Sequence, residues 1–387
     1  MYDFDKLVDR MGTNCIKWDY AEKVYGSPDV IPLWIADMDF EVLPELQKAL
    51  HERVDHPTFG YTVPSPEFRE NIIKWNLERN GLELQKEDIF GIPGVVTAIA
   101  FALQALTEKG DKVLINSPVY NPFASTIKAL GREVVASSLK CEGTKRVMDF
   151  EDIEAKLREG VKMMILCNPH NPIGRVWTKE ELTLLADLCK KYGAYIFSDE
   201  IHSDICYGGH KHCSILTVSD TAREISVCAM APSKTFNIAG LKASMFIIKN
   251  PELRDRVKAC VNSFHVGIDL LAYKAAEVCY GCGAQWVDEL NDYLYGNAKF
   301  VTEYCEKNLP KVKTFVPEGT YLMWLDFSAY GLTQEELMLK LKSEAKVGLN
   351  NGADYGSEGV GFARMNIGCP RFLLEKAMDQ IKAAFDK

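Results

Sequence analysis

Through the middle of the chain, short runs of consecutive apolar residues alternate with stretches whose apolar positions recur at helical spacing. The runs at 112–116, 133–136, 162–167, 194–198 and 225–231 are short and continuous, and they predict buried strands. Between them, 97–107, 122–130, 150–159 and 178–192 predict helices. In the last of these Leu182, Leu185 and Leu188 share one face, and Thr178 with Glu181 makes a capping box at its start. Strands alternating with helices predict an α/β fold, a mostly parallel central sheet with helices on both faces. Ligands of such sheets bind beyond the carboxyl ends of the strands.

On either side of this alternation the pattern changes. Residues 1–45 are irregular, with Pro28, Pro32 and Pro44 around a mixed segment, Leu33 to Phe40, that cannot form a core alone. This reads as an arm laid over another surface, a partner subunit's included. Helices are predicted over 44–53 and 66–81, with a loop at 59–66 between them, and 91–96 reads as a turn entering the helix at 97. Beyond Pro251 the chain turns helical, over 271–294 and 297–308. Short strands at 314–316, 320–325, 347–349 and 363–367, with helices at 333–343 and 371–385, then predict a smaller α+β domain. The expected division is an arm and part of the small domain over 1–45, a large domain over 46–288 and a C-terminal small domain over 289–387.

Composition narrows the function classes. The formal net charge of −9 over 387 residues argues against a nucleic-acid binder, which needs a basic face. No stretch has the charge and apolar pattern of a secretory signal, and none is long enough to span a bilayer, so a cytoplasmic protein with no membrane contact is expected. The twelve cysteines are scattered, several in strand patterns such as Cys167 and Cys228, and are expected to be reduced. Cys279 and Cys282 form a lone CxxC without further ligands at comparable spacing, and His210, His212 and Cys213 sit in a glycine turn; no metal is expected.

The unusual polar residues fall where the predicted strands end. Gly94, Val95 and Val96 precede a helix, so their N–H groups suit a phosphate, although many glycine turns precede helices. Tyr120 follows a strand and offers an aromatic face to a planar ring, or merely packs. Asn168-Pro-His-Asn-Pro-Ile-Gly174 is more specific: two Asn-Pro pairs and a glycine fix a loop that aims an asparagine amide back over a strand end. Asp199 ends another apolar run, where an isolated carboxylate is costly unless paired; a protonated ring nitrogen would pair it, and an N-cap role is the alternative. Lys234 follows the 225–231 run at Pro232-Ser233, where it is either a solvated loop lysine or one that desolvation leaves as a nucleophilic neutral amine. Arg364 lies among apolar neighbours in a strand and needs an anion, a substrate carboxylate or a structural one.

Their order along the chain, phosphate turn, aromatic, Asn-Pro loop, aspartate, Ser-Lys and late arginine, resembles the pyridoxal-phosphate enzymes of the aspartate-aminotransferase fold (fold type I, class I/II aminotransferase superfamily). Within it the chain looks most like the cystathionine β-lyase (C–S lyase) branch of the MalY/PatB type. The resemblance spans nearly the whole chain and rests on Pro32 to Phe40, Phe59-Gly-Tyr61, Asn168 to Trp177, Ser198 to Asp204, Ser233 to Leu241 and Asn366 to Arg371. It implies that Lys234 holds pyridoxal 5'-phosphate as a Schiff base and Asp199 pairs with its ring nitrogen. Asn171 would bond the ring hydroxyl oxygen, Tyr120 would stack on the ring, and Val95, Val96, Ser233 and Lys242 would hold the phosphate. Tyr61 would reach the phosphate of the neighbouring subunit in a homodimer with shared active sites. Arg364, helped by the Ala36 backbone and Asn171, would clamp the carboxylate of a sulfur-containing amino acid. His202 stands in the cofactor site where aminotransferases commonly carry tyrosine, and Lys242 where they often carry arginine; the first favours a lyase and the second is neutral. The implied reaction is an α,β-elimination yielding a thiol such as homocysteine, pyruvate and ammonia. The alternatives are an aminotransferase, or a regulatory protein retaining the cofactor.

Overall fold

The computed structural model describes residues 2–142 and 145–386. Seven strands form the central sheet: β1 (Ile89–Pro93), β2 (Lys112–Ser117), β3 (Glu133–Ser138), β4 (Val161–Cys167), β5 (Tyr195–Asp199), β6 (Ser226–Met230) and β7 (Ala243–Ile247). In space they run β1-β7-β6-β5-β4-β2-β3. From β6 through β3 every pairing is parallel, while β7 is antiparallel to both its neighbours. Side chains alternate between two buried cores, as a sheet covered on both faces requires. Val113, Ile115, Ile165, Phe197 and Val227 point into one core, and Leu114, Met164, Leu166, Ile196 and Cys228 into the other.

The predicted parallel strands are present, and two differences have physical causes. The 91–96 turn is instead the end of edge strand β1 followed directly by helix α1 (Val95–Leu106). Gly91 and Pro93 disguised the strand. A Cβ on Gly91 would lie 2.9 Å from the Ile268 side chain, and proline is tolerated in an edge strand. The long helical connection breaks at Gly283, between Leu270–Cys282 and Ala284–Asn308, and runs unbroken through 295–296. A Cβ at Gly283 would meet the Phe236 ring and the Cys279 carbonyl at 2.2 and 2.5 Å, so the glycine marks a close approach.

The C-terminal part builds a three-stranded antiparallel sheet from β8 (Leu322–Asp326), β9 (Asn350–Asn351) and β10 (Phe362–Asn366), ordered β8-β10-β9. The expected strand at 314–316 is absent; a single bridge, Lys313 to Asp326, lies just before it. Val347–Gly348 pairs instead with Ile31–Pro32 from the N-terminal segment. That segment is laid over the chain's own body: Leu33, Met38 and Phe40 are buried in its core. Among the described residues no helix is long and apolar enough to cross a membrane.

Candidate active site

The carboxyl ends of the parallel strands open into a cavity of about 590 Å³. Asp199 closes β5, between Cys167 of β4 and Ala229 of β6. Its side chain is buried, and its Oδ1 accepts the Ile201 N–H at 3.1 Å. Burial pushes the carboxyl up to about 7, against the Ile201 N–H and the Lys234 charge, which favour ionisation. One strand over, β6 runs into a single helical turn, Pro232–Thr235, which carries Ser233 and Lys234. The Lys234 Nζ donates to the Ala36 carbonyl at 2.6 Å. Burial lowers its pKa to about 8, opposed by Asp37 and reinforced by Arg364.

The loop after β4 brings Asn171 to the same cavity. Its carbonyl accepts the Tyr120 N–H at 3.1 Å, so the amide and the aromatic ring are positioned together. Arg175 anchors this loop from behind. Its guanidinium binds both oxygens of Glu181 at 2.8 and 2.9 Å, pairs with Glu318 and lies 5.0 Å from the centre of the Trp177 ring.

At the other end of the cavity Gly94, with φ of 93°, starts α1 without a side-chain cap. Ala98 is the first helical residue whose N–H finds an intrahelical acceptor, the Gly94 carbonyl at 3.1 Å, leaving the amides of Val95, Val96 and Thr97 as helix-start donors. Ala243 pairs with Pro93, which brings Lys242 beside this turn. Ser233 and Lys242 line the cavity with it.

Arg364, in β10, is buried, yet among the described residues no carboxylate lies within ion-pair distance of it. Its Nη2 donates to the Trp34 carbonyl and the Asn350 side chain, both at 2.7 Å, and its Nη1 to Asn171 at 3.3 Å. Among the described residues its Nε has no partner. His202 also lines the cavity, its ring edge-on to Tyr321 at 5.6 Å and its Nδ1 without a partner among the described residues. Burial, then the Lys234 and Arg364 charges, hold this imidazole well below its usual pKa, so it is neutral.

All the expected site residues therefore meet at one cavity except Tyr61, which is fully exposed on a loop outside it. The structure adds Trp34, Asp37, Asn350, Asp354 and Tyr355. The Leu33 to Phe40 segment supplies the first two, and its carbonyls are held one after another by side chains. Asn366 Nδ2 takes those of Ile35 and Asp37, each at 2.6 Å; Tyr321 and Lys234 take that of Ala36; Asn237 and Arg10 take that of Met38. Asn366 and Asn237 stood inside the quoted motifs, but their purpose is visible only in three dimensions.

The residues fit a phosphorylated, cationic planar cofactor. Among the described residues a buried carboxylate, Asp199, lacks an ion-pair partner, a lysine has its basicity reduced, an aromatic ring is at hand, and a helix start with a neighbouring lysine suits a phosphate.

Residues 28–381 match the family of class I and II aminotransferases. The chain is 42% identical over 384 residues to cystathionine beta-lyase PatB of Bacillus subtilis, covering 99% of each chain. It is 34% identical over 383 residues to protein MalY of Escherichia coli, covering 98% of this chain and 97% of MalY. Among solved structures, cystalysin from Treponema denticola, which contains pyridoxal 5'-phosphate, superposes with a TM-score of 0.96 at 32% identity, covering 100% of this chain and 99% of the other. Sheet order, cavity and whole-length similarity agree: the chain belongs to the class I and II aminotransferase family.

Proposed function

We propose that this protein is a pyridoxal-phosphate-dependent β-lyase that cleaves cystathionine and other S-substituted cysteines to a thiol, pyruvate and ammonia. The observation that carries the reading is the convergence of Lys234, Asp199 and unpaired Arg364 on one cavity, in a chain similar throughout its length to a cystathionine beta-lyase. When bound, pyridoxal phosphate supplies an electron sink for the pair released at the substrate Cα. Lys234, Asp199, Asn171, Tyr120 and His202 would hold its ring, and Val95, Val96, Ser233 and Lys242 its phosphate. Arg364 orients the amino acid by its carboxylate, with Asn171 and the Ala36 backbone beside it. Lys234, its basicity lowered by burial to a pKa of about 8, accepts the Cα proton on Nζ in its neutral form. The Cα electron pair then becomes the Cα–Cβ double bond, the Cβ–S bond breaks, and sulfur leaves with its electron pair. Protonation of the sulfur gives the thiol, and water converts the released 2-aminoacrylate to pyruvate and ammonia. A neutral His202 where aminotransferases commonly place tyrosine supports elimination over transamination.

The working unit in this reading is a homodimer in which Tyr61 enters the neighbouring subunit's site, in keeping with its full exposure. The cytoplasm is the compartment in which twelve unpaired cysteines stay reduced. The test is direct. Purified holoenzyme given cystathionine and no keto acid should release pyruvate, ammonia and homocysteine in equal amounts. Rapid amino transfer to an added keto acid with negligible pyruvate would overturn the lyase reading.

A further inference from the structure

Every charge of the cavity wall but one has either a protein partner or a role in the β-lyase reading. Asp37 is held by the two terminal guanidinium nitrogens of Arg10, at 3.0 and 2.9 Å. Lys234, Asp199, Lys242 and Arg364 have the roles set out above. Asp354 is left over. Its side chain is exposed at the cavity, and among the described residues it has neither a hydrogen bond nor an ion pair.

The backbone that presents it is nevertheless fixed on both sides. Asn351 Oδ1 accepts the Ala353 N–H at 3.0 Å at the start of the turn Gly352–Tyr355. The Tyr355 carbonyl accepts the Val119 N–H at 2.9 Å, which ties the turn to the loop that follows β2. Glu358, a few residues on, accepts the Ser117 hydroxyl at 2.6 Å and also that of Ser138. Next to Asp354, the Tyr355 ring lies 5.3 Å from the Arg364 guanidinium. A carboxylate on a backbone fixed in this way, on the wall of the cavity that Arg364 also lines and with no cation of its own among the described residues, is complementary to a positive charge on the ligand.

We propose that Asp354 makes the site selective for amino acids whose leaving thiol carries an amino group. The inference rests on the β-lyase reading: the substrate's α-carboxylate lies on Arg364, its Cα faces Lys234, and the ammonium of the departing half meets Asp354. S-substituted cysteines with a cationic tail are then preferred over neutral ones, and those with an anionic tail are disfavoured.

Amino acids without a leaving group separate recognition from chemistry. Lysine, norleucine and 2-aminoadipate are the carbon counterparts of S-(2-aminoethyl)cysteine, S-ethylcysteine and S-carboxymethylcysteine. Calorimetric titration of the holoenzyme should give lysine a Kd about three- to fivefold below that of norleucine, the scale of one exposed ion pair. Asp354→Asn should bring that ratio close to one, and Asp354→Lys should make 2-aminoadipate bind better than lysine. A wild-type ratio near one, or a ratio that survives in Asp354→Asn, overturns the proposal; a variant that merely disturbs the fold weakens all three ligands and leaves the ratio where it was. Pyruvate release from S-(2-aminoethyl)cysteine is followed in parallel. A lysine preference that depends on Asp354 but comes without pyruvate would refute the lyase reading while upholding the charge selection.

Discussion

Burial drives Lys234 and Asp199 toward their neutral forms, to about 8 and about 7 respectively, and each shift has a measurable consequence. Capture of the cofactor's aldehyde needs the neutral amine, whose fraction falls about tenfold for each pH unit below the pKa. The rate at which cofactor-free protein gains the visible absorbance of bound cofactor should therefore climb from pH 6 and level off above pH 8. A flat profile would mean that Lys234 is not the limiting nucleophile. For Asp199 the folded pKa lies above the unfolded value near 3.8, so the folded state holds a proton that the unfolded chain has lost. Stability is then undiminished below about pH 4, falls as pH rises toward 7, and stays lowered above that. Asp199→Asn keeps an acceptor for the Ile201 N–H without the charge. In cofactor-free protein it should add on the order of 2–4 kcal/mol at pH 8 and far less at pH 5, read by urea unfolding. Cofactor affinity should drop in the same variant. Equal stability of variant and wild type at pH 8 would show that the carboxylate is already compensated.

At the level of elements, the sequence was legible where propensity and burial agree. The strand runs at 162–167 and 194–198 fall on Val161–Cys167 and Tyr195–Asp199, and the Thr178 capping box starts its helix as expected. It was opaque where a tertiary contact chose the residue, as at Gly91 under Ile268 and at Gly283 against Phe236. The Asn-Pro loop lies between these cases. Its composition announced a fixed turn, but not what fixes it. The Arg175 guanidinium joins Glu181 of the following helix to Glu318 just before β8, and its side chain is only 4% exposed. Removing one member of such a network leaves the others charged and buried, so Arg175→Ala should cost about 3–5 kcal/mol in thermal or denaturant unfolding. Arg175→Lys should recover little, because an ammonium cannot span both carboxylates and lie over Trp177 at once. A loss below about 1 kcal/mol would mean that the network behaves as an exposed one.

Across the whole molecule, the candidate site could be read as an order of residues but not as a shape. Lys234, Asp199, Asn171 and Tyr120 follow strand ends of a single sheet, so their convergence follows from the topology rule. Asp37, Asp354 and Tyr355 reach the cavity through packing of the chain's two ends, and periodicity carries no trace of that. Tyr61 stays outside it, on a loop that also exposes Phe59 and Val63. Three large apolar residues in five positions are an expensive surface for water and suit burial by another subunit. If the Tyr61 hydroxyl completes the neighbour's site, Tyr61→Ala should lower activity about tenfold, the scale of one hydrogen bond to a charged group. Lys234→Ala should abolish activity altogether. Mixing the weakened Tyr61→Ala variant with the inactive Lys234→Ala variant under conditions that exchange subunits then decides between a shared and a private site. With random exchange in a twofold-symmetric dimer, half of the dimers are hybrids and each has one site with both Lys234 and Tyr61 intact, so activity should return to about a quarter of wild type. If Tyr61 serves its own subunit, every hybrid site carries one lesion and mixing restores nothing.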